Sequence, residues 1–424
     1  MASQETPSIY AELLANIRQL SVAVTLPSPA GSHTQGLITP DGATIQLRHA
    51  GAQTSFALPG KVQTRGAVAA AALPAPPPAS RVVSWRLPLA ADAPAAARSP
   101  HDEPVPWTAL DLAPGSAVAC RACAAPLVPP GRAREWKDLP SENWAEMMDF
   151  WHCHKPTDHE RAGGEHDHLA TGRGYGANSS IAAQPGVGMV DLTSFLFSES
   201  DCTGLEFSSS PSRGASSGAA TTSSAVLAGG PDPPPRLLHA FCAGCSAHVG
   251  FFNVAIASVV LLKWQVSCQT AFSSSAAAAA AAAPTSSECL AAALTATLSR
   301  SGSSKSVVVP TFPSSSSSPS SPALHLWILN SHIVYASSSR RGGAPRSAIK
   351  LLYREIAQEE ADAMLESMTS DVQEVNLPSA AIAAAAEELR ASSGLLPPGE
   401  RALKEWNVGL LDKWEKGGGA RERV

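Results

Sequence analysis

The chain is 424 residues long, with room for two or three domains, yet only 16% of it is charged and 5% aromatic. Ala, Ser, Gly and Pro tracts dilute the core-forming residues, which leaves a folded part of roughly 250 to 300 residues. A formal net charge of −5 gives none of the basic footprint of a general DNA or RNA binder, so direct nucleic-acid binding is not expected.

The N-terminal sequence MASQETPSIYAELL has no basic stretch followed by an apolar core, so no secretory signal is expected. Residues 1–110 read as a β-rich N-terminal domain. It opens on a short helix from Ile9 to Gln19 and continues in β-type runs at Val22–Leu26, Ala43–Leu47 and, after the Pro74–Pro78 tract, Arg81–Leu87.

Residues 111–156 hold two dense signals. The first is Cys120-Arg-Ala-Cys123. The second is Leu139–Pro156, LPSENWAEMMDFWHCHKP, in which Ser141 is an N-cap candidate and Trp144, Met147, Met148 and Trp151 follow i, i+3, i+4, i+7. A helix packed on the core through this Trp/Met stripe competes with a partner-binding anchor.

Residues 157–235 read as a low-complexity insertion, interrupted by an ordered stretch between Val187 and Ser208. A Gly214-Ala-Ser-Ser-Gly218 match lies in it without the strand and helix that a nucleophile elbow requires. Residues 236–272 bring Cys242-Ala-Gly-Cys245 and strands. The apolar run Phe251–Trp264 falls short of the roughly 20 residues a spanning helix needs and reads as buried strands, so no membrane partner is expected.

Residues 273–322 read as another low-complexity insertion with Ala and Ser runs. Residues 323–424 form an α+β C-terminal region. Leu324–Leu329, His332–Tyr335 and Ala348–Tyr353 read as strands separated by turn residues. Two helices follow, one burying Ala361, Met364, Leu365 and Met368, the other capped by Ser379 and burying Ile382, Ala386 and Leu389. The fold class is therefore α+β and β-rich, with mostly antiparallel sheets, a few helices, a pair of zinc knuckles and long disordered insertions.

Two C-x2-C turns supply the thiolates of a tetrahedral zinc site, and four protein thiolates leave no open position, so zinc at Cys120, Cys123, Cys242 and Cys245 is structural. The alternative is four buried thiols without metal. The 118 residues between Cys123 and Cys242 are no obstacle, because loop-closure cost grows slowly with length. His152-Cys153-His154 competes for a role as a further metal half-site or a reactive thiol. A helix C-terminus disfavours a thiolate at Cys153, so its activation would fall to the flanking imidazoles. His159, His166 and His168 carry no assigned role.

Leu139–Trp144 followed by Trp151–His154, bracketed by the two C-x2-C pairs, resembles the HECT-like ubiquitin ligases that bind a ubiquitin-conjugating enzyme. Leu324–Trp327, Lys350–Tyr353 and Glu405–Leu411 look like that family's later blocks. The resemblance implies recruitment of a charged conjugating enzyme and transfer of ubiquitin to a protein substrate or to the chain itself, with cyclin B as one family substrate. It also implies a cytoplasmic or nuclear location. Fungal relatives tied to pre-mRNA 3′-end processing supply a second reading, a non-catalytic zinc-containing adaptor or assembly factor. The four paired cysteines match the family's, as do Asn143, Trp144, Trp151, Cys153 and His154. One departure stands out. A HECT ligase carries ubiquitin as a thioester on a C-terminal cysteine, and no Cys follows Cys289 here, which leaves Cys153, with His154 beside it, as the catalytic candidate.

Overall fold

The computed structural model describes residues 6–64, 70–91, 105–139, 183–210, 237–270, 283–312, 323–340, 343–367 and 369–416. The chain divides into two compact units: Met1–Pro104 with Ser286–Lys416, and Val105–Thr285 with Gly417–Val424.

The first unit begins with β1 (Ser8–Leu14) and β2 (Gln19–Thr25), followed by β3 (Gln35–Ile38), β4 (Thr44–His49), β5 (Ala52–Ala57), β6 (Ala71–Ala72) and β7 (Val82–Pro88). The helix expected over Ile9–Gln19 is instead a β-hairpin. Ile9 and Ala11 enter one core with Val22, Val24 and Trp85, while Tyr10 packs with Tyr335 in another. A strand buried on both faces loses its apolar alternation, which is what made the segment look helical. Arg18, at φ 51°, closes the turn, and its guanidinium donates to the Ala90 carbonyl at 2.9 Å.

The second unit contains β8 (Val118–Cys120), β9 (Pro126–Val128), β10 (Glu135–Asp138), β11 (Val187–Val190), β12 (Ser194–Ser198), β13 (Leu205–Ser208), β14 (Leu237–Cys242), β15 (His248–Asn253), β16 (Ser258–Leu262) and β17 (Val266–Cys268). They form a seven-stranded sheet, β10-β11-β12-β16-β15-β14-β13, and a three-stranded sheet, β17-β8-β9. The run Phe251–Trp264 lies in β15, β16 and the short 3-10 turns after them, and is largely buried, as expected. Among the described residues no helix is long and apolar enough to cross a membrane. Trp107, Trp136, Phe195 and Phe197 form an aromatic core, with ring centroids 5.5 to 6.2 Å apart in the contacting pairs. The fully buried Lys263 ammonium donates to the Pro106 and Trp107 carbonyls there.

The chain then returns to the first unit with α1 (Ser286–Ser301), β18 (Lys305–Pro310), β19 (Ala323–Ser337), β20 (Arg346–Ile356), α2 (Gln358–Glu366), β21 (Gln373–Leu377), α3 (Ser379–Ser393), β22 (Ala402–Leu403) and β23 (Trp406–Asp412). Segment 286–310, expected within a low-complexity insertion, is therefore helix and strand. Its helix buries Cys289, Leu290, Ala291 and Leu294, and small residues on that face hide the helical period. The two expected C-terminal helices are α2 and α3, although Ser379 is the first helical residue and Pro378 the cap, and Met368 lies outside the described residues.

β19 is one long strand where two were expected. Asn330 and Ser331, which read as turn residues, are absorbed at shifts of register between Ile328 and Ile333. One edge of β19 pairs with β18 and then β1, and the other pairs with β20, giving the order β22-β23-β20-β19-β1-β2-β7 with β18 and β21 beside it. Every strand pair in the described sheets is antiparallel except β10–β11 and β18–β21. The protein is thus α+β and β-rich.

Two positions yield tests. A Cβ on Gly250 would sit 1.8 Å from the Val260 carbonyl oxygen across β15–β16. Gly250→Ala should therefore lower the denaturant midpoint sharply or abolish soluble expression. The His239 and His248 rings meet at 3.1 Å, and burial, then His239, pushes His248 down to about 4. The unfolded chain takes up this proton near pH 6.5 and the folded one only near 4. Stability should therefore fall with pH through that window, less steeply in His248→Gln, as measured by chemical denaturation at fixed pH steps.

Candidate metal centre

The two C-x2-C pairs sit in hairpins of the same local design. In the first, between β8 and β9, Cys120 N–H donates to the Ala125 carbonyl and Ala124 N–H to the Cys120 carbonyl, both at 2.8 Å. In the second, between β14 and β15, Cys242 N–H donates to the Ala247 carbonyl at 2.9 Å and Ser246 N–H to the Cys242 carbonyl at 2.8 Å. The residue after each second cysteine is left-handed, Ala124 at φ 61° and Ser246 at φ 58°. Each turn reverses the chain so that both of its sulfurs point to one side.

Two sets of backbone contacts and one close approach to side chains bring the turns together. β17 pairs with β8 in the register Val266↔Cys120, and Arg121 N–H donates to the Gln265 carbonyl at 3.0 Å. The dipeptide Thr203–Gly204 forms a strut: Thr203 N–H donates to the Leu127 carbonyl, and the Gly204 carbonyl accepts from Ala243 N–H, both at 2.8 Å. A Cβ on Gly244 would lie 3.6 Å from both Ala125 Cβ and Cys123 Sγ, so the second turn rests directly on the first.

All four sulfurs lie within 4.8 Å of one another. Cys120 Sγ is 3.6 Å from Cys245 Sγ, and Cys123 Sγ is 3.6 Å from Cys242 Sγ. Those separations exclude disulfides, whose sulfurs are about 2.05 Å apart. Zinc–sulfur bonds of about 2.3 Å imply tetrahedral edges of about 3.8 Å, so this donor set fits a tetrahedral zinc ion. Cys120 and Cys242 are buried and Cys123 and Cys245 exposed, which places the cluster at the surface. Burial pushes the Cys120 thiol up to about 12, against the pull of hydrogen bonds from the Cys123 and Ala122 N–H groups. Those two donors suit a sulfur that carries negative charge.

The other described cysteines are poor nucleophiles. Burial pushes Cys202 and Cys268 up to about 12, with Asp201 and Glu199 adding to the effect at Cys202. Cys289 is buried in α1. Cys153 and His154, with His152 and the whole Ser141–Trp151 segment, lie outside the described residues. What sequence reasoning missed is the Thr203–Gly204 strut, which carries no motif. The matching left-handed residues were legible in principle, since both pairs read Cys-x2-Cys, a small residue, then Ala.

The comparisons extend beyond the cysteines. The family described as HECT-like Ubiquitin-conjugating enzyme (E2)-binding matches residues 12–408, a continuous span where the sequence blocks were discontinuous. An uncharacterized protein of Schizosaccharomyces pombe, C1734.10c, is 44% identical over 66 residues, 14% of this chain and 19% of its own. An uncharacterized protein of Saccharomyces cerevisiae, YJR141W, is 38% identical over 52 residues, 12% of this chain and 15% of its own. The chain spans less than a fifth of the length of these curated relatives. No solved structure matches. With its family match running through nearly all of both units, the chain belongs to the HECT-like ubiquitin-conjugating enzyme (E2)-binding family.

Proposed function

We propose that this protein is a ubiquitin ligase: it binds a ubiquitin-charged E2 and promotes transfer of ubiquitin to a protein substrate or to itself. The observation that carries the reading is the family match over residues 12–408, which runs from within β1 to within β23 and includes every strand between them. Cys120, Cys123, Cys242 and Cys245 hold a structural zinc ion in this reading. Its chemistry is that of a cross-link, with all four positions taken by thiolates and none left for substrate.

Transfer follows one of two routes. In the first, a thiolate of this chain attacks the E2–ubiquitin thioester, the E2 thiol leaves, and a substrate lysine then attacks the new thioester. In the second, the chain orients the charged E2 so that the lysine amine attacks directly, forming an isopeptide bond and releasing the E2 thiol. The state of the described thiols favours the second route. Cys268 and Cys289 are buried, Cys202 is half-buried beside Asp201 and Glu199, and the two exposed ones, Cys123 and Cys245, belong to the cluster. Cys153 remains the acceptor for the first route.

Purified protein should accelerate discharge of at least one ubiquitin-charged E2 from a broad panel, measured as loss of the thioester band with lysine as acceptor. Discharge no faster than that of the E2 alone across the panel would sink the ligase reading. Cys153→Ala should retain the acceleration if orientation suffices and lose it if a thioester forms on Cys153. Metal analysis should return about one zinc per chain, absent from Cys242→Ser, and chelation should lower the melting temperature. A metal-free wild type with an unchanged melting temperature would remove the zinc assignment.

A further inference from the structure

The sheet of the first unit has one face closed by α3, where Leu389 lies against Gly409 of β23. Among the described residues the opposite face is closed only at its ends. At one end Val307, Val309, Ala323 and Ile356 pack with Ala361, Met364 and Leu365 of α2. At the other, Leu352, Val408 and Leu410 pack with Tyr10, Tyr335 and Leu396.

Between these two small cores an aromatic strip reaches solvent. Trp327 is 36% exposed, Leu329 47% and Leu403 52%, three of the six exposed large apolar side chains among the described residues. Trp327 and Trp406 meet edge to face at 6.1 Å, and Leu403 is the strand partner of Trp406. Lys305 stands over the Trp327 ring and Arg354 over the Trp406 ring, at 5.5 and 5.7 Å, paired with Asp371 and Glu360 respectively. The result is an apolar centre inside a mixed-charge rim, the arrangement of a protein–protein contact.

Beneath the strip lies His325, 7% exposed, its ring 4.7 Å from that of Trp406. Neither ring nitrogen has a hydrogen-bond partner. A buried imidazole always carries at least one N–H donor, and a fold seldom leaves such a donor unmatched without a use for it.

Two considerations select the occupant. The later blocks of the family resemblance, Leu324–Trp327, Lys350–Tyr353 and Glu405–Leu411, are far apart in the chain yet lie on or beside the adjacent strands β19, β20 and β23 around this strip. The strip exposes on the order of 300 Å² of apolar surface, well short of the roughly 800 Å² per partner that a stable dimer buries. That size suits a partner that binds and leaves, as an E2 must in order to be recharged.

We propose that Trp327, Leu329, Leu403 and Trp406, over His325, form the surface on which the E2 docks. The proposal rests on the E2-binding reading above and adds the site to it. The test immobilises full-length wild type, Trp327→Ala and Leu403→Glu and measures binding of a panel of ubiquitin-charged E2s, with zinc content and melting temperature recorded for each. Leu403 is half exposed on a two-residue strand, so Leu403→Glu keeps the test sound even if Trp327→Ala disturbs the sheet. Both variants should bind at least tenfold more weakly, with zinc content unchanged in both and melting unchanged in Leu403→Glu. Equal binding by all three proteins would overturn the site while leaving the E2-binding reading intact. Failure of the wild type to bind any E2 would bring down both. Self-association of the wild type by light scattering, abolished in Leu403→Glu, would assign the face to a second copy and overturn the proposal.

Discussion

Four sulfurs within 4.8 Å of one another are the constraint on which the second unit depends. They belong to hairpins of two different sheets, β8–β9 and β14–β15, that share no strand. Without a cross-link the Thr203–Gly204 strut and the β17–β8 pairing would have to hold the two sheets in register. Four thiolates around one cation would make the sheets a single body and turn the energy of metal binding into energy of folding. The donors on Cys120 point the same way: the backbone is arranged for a charged sulfur although burial opposes one.

The first unit solves its problem differently, by length. β19 runs for 15 residues and gives one edge to two successive partners, so the strands from both parts of the chain share one spine. A strand that long accumulates twist, and the register shifts around Asn330 are where such a strand bends. Because the other face is occupied by α3, polar and aromatic groups that do not fit the two small cores gather on the open middle of the sheet.

Much of this was written locally in the sequence. Val22–Leu26, Ala43–Leu47 and Arg81–Leu87 alternate, or are rich in β-branched residues, and each falls within or against an observed strand. The C-x2-C spacing dictates a turn whatever surrounds it. What could not be read depends on burial from both sides. β1 carries apolar residues on each face because a core lies on each face. The helix α1 buries Ala, Cys and Thr against its neighbours, so composition disguised it as an insertion. Trp327 shows the opposite failure: its exposure depends on α2 covering one end of a sheet face and stopping short, which no local pattern encodes.

The division of the chain also sets an order of events during synthesis. β1 ends at Leu14, yet its partner on one side, β19, spans Ala323–Ser337, paired as Tyr10 with Ser337. The second unit, by contrast, draws all its described strands from the continuous stretch Val118–Cys268. It can therefore fold on the ribosome while the first unit waits with one edge of its opening hairpin unpaired. Early metal capture would then shorten the effective chain that β1 must search across, since residues far apart in sequence but joined in a folded unit close a smaller loop.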